Sequence, residues 1–196
     1  EEWIRYLDVA SRLYKYPFED QILIYAQRPD ATACASLEMW NEKMFCWVNR
    51  GAKGIALLDG ESERPRLRYV FDVTDVHKAK RIGRDPFIWH LREEHKEAVL
   101  AGLEHIYGST NDSLSFESRI YEIAAGIAED FYEEAVDEVI DAAANSFLED
   151  LDGDVVSVRF RETLVQSVSY IVLKRCGCDM TEFADDFTFD YIHEFN

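Results

Sequence analysis

All of this chain's net negative charge lies in its second half. Of the 196 residues, positions 1–85 carry 14 Lys/Arg against 14 Asp/Glu, while positions 86–196 carry 7 against 25, which accounts for the whole formal charge of −18. Carboxylates at that density must stay in water. The second half can therefore fold only if its apolar residues form stripes between them. The balanced first half is under no such restriction. Two separate structural units are expected, and the acidic one repels phosphate at long range. Any nucleic-acid contact is then expected from a local patch on the first.

In the second half the stripes recur at helical spacing. Residues 87–106 read as one long helix. Residues 115–151 read as one or two more, with a break expected near Asp130 and Phe131. There Ile127, Phe131, Ala135, Val136, Val139 and Ile140 are left for the core. Residues 158–176 form the last strong helix, with Gly177 placed to cap its C-terminus. The Asp150-Leu151-Asp152-Gly153-Asp154 stretch starts like a calcium loop but lacks the closing glutamate, and is expected to be a turn capping the next element.

The first half begins helically and then changes period. Trp3, Leu7, Ala10 and Leu13 mark a helix over residues 2–14, which Pro17 interrupts. Residues 19–28 form a second helix, and the Arg28-Pro29-Asp30 turn stops it. A short third helix is expected over 36–43, capped by Ser36. Residues 45–48, 54–58 and 66–73 then read as strands. In the last, Leu67, Tyr69, Phe71 and Val73 alternate with Arg66, Arg68, Val70 and Asp72.

The fold class expected is α+β: N-terminal helices packed on a small antiparallel sheet, followed by a mainly helical acidic region. The boundaries expected are a domain at 1–76, a linker at 77–85 carrying Lys78, Lys80, Arg81 and Arg84, and an acidic helical domain at 86–196. The 47 % hydrophobic and 13 % aromatic content suits packed cores. No apolar run reaches the roughly 18 to 20 residues of a membrane span. The four cysteines follow neither zinc nor disulfide spacing, so the expected location is the cytoplasm. A start on Glu1-Glu2-Trp3, inside a helix and without an initiator Met, suggests a piece of something longer.

One ordered set of short strings stands out. It opens with Tyr14-Lys15-Tyr16-Pro17-Phe18-Glu19-Asp20-Gln21 and continues with Leu23-Ile24 and Ala26-Gln27-Arg28-Pro29. Ala31-Thr32, Trp40-Asn41 and Gly51-x-Lys53-Gly54-Ile55-Ala56-Leu57 come next, and Tyr69-Val70-Phe71-Asp72-Val73 ends it. In order and spacing this resembles the N-terminal domain of ArdC-type antirestriction proteins. It departs at Asp20, where that family usually carries a small polar residue such as Asn. The resemblance implies single-stranded-DNA binding within a larger mobile-element or conjugation-associated protein.

Single strands are gripped by aromatic faces and by cations along the backbone. Tyr14, Tyr16, Trp40 and Trp47 are candidate faces, and Lys15, Arg28, Arg50, Lys53, Arg66 and Arg68 are candidate cations. The same residues also serve as core aromatics and solvated surface charge in ordinary domains, and for Trp40 and Phe18 packing is the commoner use.

ArdC-type proteins commonly continue into a zinc-peptidase-like domain with an H-E-x-x-H helix. The five histidines, His77, His90, His95, His105 and His193, do not offer that spacing. The stretch from Arg161 to Val172, with Gly177-x-Asp179 and Phe189-x-Tyr191-Ile192, resembles a later segment of that domain. Gln166 there occupies the position of a glutamate ligand. The resemblance thus implies a degenerate, non-catalytic relic, and the same stretch reads equally as an amphipathic core helix. No phosphate-binding loop, dinucleotide fingerprint or nucleophile elbow is found. No metal, cofactor or catalytic group is expected. The alternative reading is that the acidic half is a protein-interaction or DNA-mimic (antirestriction) module.

Overall fold

A computed structural model describes residues 1–59, 66–78, 90–144, 146–183 and 185–193. The chain divides into two compact units, Glu1–Trp89 and His90–Asn196. Its class is α+β, as the change of period implies.

In the first unit, α1 (Glu2–Arg12) turns Tyr6, Leu7, Val9 and Ala10 inward. Pro17, in extended conformation, precedes α2 (Phe18–Gln27). The loop between these helices is held by one side chain: the Gln21 amide accepts from the Tyr6 hydroxyl at 3.0 Å and donates to the Tyr16 carbonyl at 2.8 Å. Strands β1 (Cys34–Ser36), β3 (Ile55–Asp59) and β4 (Arg66–Asp72) form an antiparallel sheet in the order β1-β4-β3. A separate ladder pairs β2 (Cys46–Val48) with β5 (Val76–Lys78). The core is Val9, Leu13, Ile24, Ala31, Ile55, Leu57 and Val70, with Tyr16, Leu23, Tyr25 and Cys34 packed against it. On the margin of β3, the Gln27 side chain donates to the Ala56 carbonyl at 2.8 Å and accepts from its N–H at 2.9 Å.

Two expectations for this unit are corrected. The short third helix is a five-residue π-helical turn, Met39–Lys43, entered from β1. Ser36 still caps it, accepting from the Met39 N–H at 3.2 Å. His77 and Lys78, assigned to the linker on sequence, complete β5, and the rest of that linker (79–85) lies outside the described residues. The alternation along β4 left its buried face open: Val70 and Asp72 turn inward, while Leu67 and Tyr69 are exposed. A single residue's shift reverses every side chain of a strand. Here the choice follows Asp72, whose carboxylate accepts from the backbone N–H of Thr32 (2.7 Å), Ala33 (3.0 Å) and Thr74 (3.0 Å). Three backbone donors, those of Thr32 and Ala33 half-buried, would lose this acceptor if it pointed outward.

The second unit is helical: α3 (Glu93–Tyr107), α4 (Phe116–Ala143), α5 (Gly153–Cys176) and the short α6 (Asp190–His193). The helix expected from residue 87 begins at Glu93, and residues 87–89 of that expectation lie outside the described residues. α4 is unbroken through Asp130 and Phe131, because no proline or competing cap interrupts it, and Phe131 lies exposed rather than in the core. Ser115 caps its start by accepting from the Ser118 N–H at 3.1 Å. Asp152 does the same for α5, accepting from the Asp154 N–H at 2.9 Å.

α5 ends at Gly177, whose φ of 72° is left-handed. The Cys178 N–H reaches the Leu173 carbonyl and the Gly177 N–H that of Lys174, each at 3.0 Å. This six-to-one and five-to-two pairing satisfies two otherwise orphaned carbonyls. α4 and α5 pack chiefly on each other. Ile120, Ile123, Ala124 and Ala128 from α4 and Tyr170 and Leu173 from α5 are buried. Phe183, Phe187 and Phe189 close one end, Phe187 meeting Tyr170 edge-on at 5.4 Å.

Candidate nucleic-acid interface

The strings that carried the family resemblance mostly tie the first unit together. The Arg28 guanidinium donates to Asp75 Oδ2 at 2.5 Å and to Thr74 Oγ1 at 2.7 Å. Thr74 in turn donates through its hydroxyl to Asp72 at 2.8 Å. Thr32, Asp72, Thr74, Asp75 and Arg28 thus form a polar clasp joining the turn after α2 to the end of β4. Burial works against ionising Asp72, but the hydrogen bonds from Thr74, Thr32 and Ala33 outweigh it and hold its carboxyl below the usual range. The same burial, beside the Asp72 charge, pushes the Cys34 thiol up to about 12, so it is not a nucleophile at neutral pH.

Several candidate contacts are engaged in this way. Trp40 is only 4 % exposed, and its indole N–H donates to the Phe71 carbonyl at 2.9 Å. Its ring is therefore not a face for a base. Tyr16 is largely enclosed, and its hydroxyl donates to the Cys34 carbonyl at 2.8 Å while burial raises its pKa. Arg28 belongs to the clasp. Arg68 is paired with the buried Asp20 carboxylate on α2, so its charge is already answered.

The remaining candidates face water. Tyr14 is exposed, with the Lys15 ammonium 5.7 Å from its ring centre. Arg50, Lys53 and Arg66 are exposed and enter no ion pair among the described residues. Arg50 and Lys53 lie in the turn between β2 and β3, which is pinned by the Asn49 N–H on the Asp75 carbonyl (2.8 Å) and the Ala52 N–H on the Asn49 carbonyl (3.1 Å).

Exposed rings flank that turn on both sides. On the β2–β5 ladder Trp47 is 50 % exposed and stands across from exposed His77. His77 Nδ1 is 2.7 Å from the Asn49 side-chain oxygen. On the other side the turn ends at Gly54. A Cβ placed there would lie 3.1 Å from the Tyr69 Cβ and 3.2 Å from Phe71 Cζ. The backbone next to Lys53 therefore runs directly against the outward face of β4, where Tyr69 is 51 % exposed. Tyr69, Phe71 and His77 were not among the sequence candidates. The alternation along β4 was the available signal for the first two, but it places them on the outer face only once Asp72 is known to point inward.

The second unit offers a different surface. Among the described residues no group of three His, Cys, Asp or Glu side chains could hold a metal ion. The Gln166 amide accepts from the Phe189 N–H at 2.9 Å, where the backbone is left-handed (φ 50°), and donates to Glu162 at 3.2 Å. It braces the chain after α5. Between α3 and α4, Arg119 donates to Glu104 at 2.6 Å and to Asp112 at 3.0 Å. The Thr110 hydroxyl and Arg119 hold the Glu104 carboxyl down to about 2. Along α4, Asp130, Glu133, Glu134, Asp137, Glu138 and Asp141 are all exposed. No described helix is long and apolar enough to cross a membrane. No family model matches the chain, and no curated protein or solved structure does either.

Proposed function

We propose that the first unit binds single-stranded DNA, as a non-catalytic module of a larger mobile-element or conjugation-associated protein. The observation that carries this reading is the cationic turn of Arg50 and Lys53, set between two half-exposed rings, Trp47 and Tyr69. Rings held on strands present flat faces that unpaired bases can stack on, and the adjacent cations answer the phosphates. A duplex, whose bases are already stacked, would leave those rings unused. The ordered resemblance over the first third of the chain supports the same reading.

The test is anisotropy of a labelled oligonucleotide against the full chain over a salt series. Binding should weaken with salt. Trp47→Ala or Tyr69→Ala should each cost about 1–3 kcal/mol if a base stacks there. Lys53→Gln should make the salt slope shallower by about 0.7 for one lost phosphate contact. By contrast, Arg68→Gln should change affinity little, because Asp20 already holds that charge. No binding at low ionic strength, or wild-type affinity in both ring variants, would sink the proposal.

The carboxylates of α4 favour a second reading, in which the acidic unit is a docking surface for a basic partner or an imitation of DNA. From Asp130 to Asp141 they extend roughly 16 Å along one helix at 1.5 Å per residue. Salt-sensitive association of the full chain with a cationic protein would support it. Unchanged association after neutralising Glu133, Asp137 and Asp141 would count against it.

A further inference from the structure

Between Arg119 and Arg159 the chain carries twelve Asp/Glu and no Lys/Arg. At the end of this stretch the surface opens onto a small apolar pocket of about 180 Å³, lined by Val139, Leu148, Leu151, Val156, Arg159, Phe160 and Thr163. One wall is a built turn. Ser146 donates through its hydroxyl to the Ala143 carbonyl at 2.9 Å and accepts from the Leu148 N–H at 3.1 Å, and the Leu151 N–H donates to the Leu148 carbonyl at 2.9 Å. The other walls come from α4 and α5. The Arg159 guanidinium lies 5.8 Å from the Tyr191 ring centre. The residues next to the lining in sequence, Glu138, Glu149, Asp150 and Asp152, are exposed carboxylates.

We infer that this pocket receives one aliphatic side chain from a lysine- and arginine-rich peptide segment of a partner protein. An apolar cavity of about 150 Å³ is large enough for a benzene-sized group, so this one accommodates a single leucine or isoleucine but not a larger apolar face. The surrounding carboxylates select the flanking residues: a neutral or acidic segment with the same anchor gains nothing from them, and a basic one is steered in. The pocket supplies the register that charge alone lacks. A diffuse acidic surface attracts any polycation, whereas a seat for one apolar side chain fixes where along the partner the contact is made. This rests on the second reading, the acidic unit as a docking surface, and is independent of DNA binding by the first unit.

The experiment compares two short lysine-rich peptides that differ only at a central position, leucine in one and glycine in the other, titrated onto the full chain by calorimetry. The leucine peptide should bind roughly ten- to a hundred-fold tighter, the range expected for burying one leucine side chain. Thr163→Phe, which fills the pocket, should abolish that preference and leave a weaker, salt-sensitive attraction common to both peptides. Thr163→Leu, a milder filling, should reduce it, and both variants should unfold at the wild-type temperature. Replacing Glu149 and Asp150 by their amides should weaken both peptides equally. If the peptides bind alike, or the Thr163 variants keep the preference, the pocket is not the seat and only a diffuse acidic surface remains. If neither peptide binds, the docking reading falls with it.

Discussion

The two units of this chain put their polar side chains to opposite uses. In the first, conspicuous polar groups turn inward: Asp72 accepts from three backbone donors, Gln21 holds the loop between two helices, and the Trp40 indole is sealed against the Phe71 carbonyl. In the second, carboxylates line the outside of α4, and the buried polar side chains among the described residues are two serines, Ser167 and Ser169, amid Ile120, Leu173 and a cluster of phenylalanines. A balanced charge count thus conceals two buried carboxylates, Asp20 and Asp72, and an extreme one accompanies an interior without a buried carboxylate among the described residues. Net charge describes the surface and says little about what holds the chain together.

Tryptophan separates the two experimentally, since Trp3, Trp40, Trp47 and Trp89 all precede residue 90. Their fluorescence reports the first unit, while far-ultraviolet circular dichroism is dominated by the long helices of the second. The largest expected effect is from Asp72→Ala, which removes a buried carboxylate from the backbone donors of Thr32, Ala33 and Thr74 at a cost of about 1–3 kcal/mol for each half-buried donor left unpaired. The fluorescence transition should move to much lower denaturant while the helical signal stays near wild type. Leu173→Ala should do the reverse, at about 2–5 kcal/mol for a large buried aliphatic. If either variant shifts both signals together, the units do not unfold independently and the contrast between them fails.

Acid provides a finer comparison. The folded-state carboxyl of Asp72 lies below its ordinary value of 3.8. Its contribution is therefore complete above that value and is lost as pH falls through the lower folded one. Glu104, held down to about 2 from an ordinary 4.5, behaves likewise in the second unit, its contribution complete above 4.5 and lost toward about 2. Asp72→Asn should flatten the acid limb of the fluorescence transition and leave the helical one alone. A slope unchanged by that substitution would show that Asp72 is not the group responsible. The smallest effect should come from salt. Screening the mutual repulsion of the acidic unit should raise its melting temperature by the equivalent of less than about 1 kcal/mol, with no matching rise in the first unit. Equal responses would erase the distinction.

Much of this architecture is legible in residue order. The stop after Arg28, the caps at Ser36 and Gly177, and the change from helical to alternating period all follow from local chemistry that needs no distant partner. What escapes is what a distant partner decides. The direction of β4 depends on Asp72 meeting backbone donors 39 and 40 residues earlier, at Ala33 and Thr32. Two tryptophans seven positions apart look alike as candidates for base stacking. Yet Trp40 enters the interior from a π-helical turn and Trp47 stands on a strand facing water. The cations were easier to find than the rings, because an exposed lysine is the ordinary case and an exposed tryptophan is not. Arg28 and Arg68 are the exceptions, each claimed by a carboxylate far away in sequence.

The amide of Gln27 has a last consequence for how this unit meets other molecules. By taking both main-chain groups of Ala56, it behaves as a one-residue counterfeit of the next strand, and the three-stranded sheet cannot lengthen sideways at that point. Neither a second copy nor an extended peptide finds an unoccupied rung there. A visitor turned away from that rung still has the outer face of β4, where Tyr69 stands exposed.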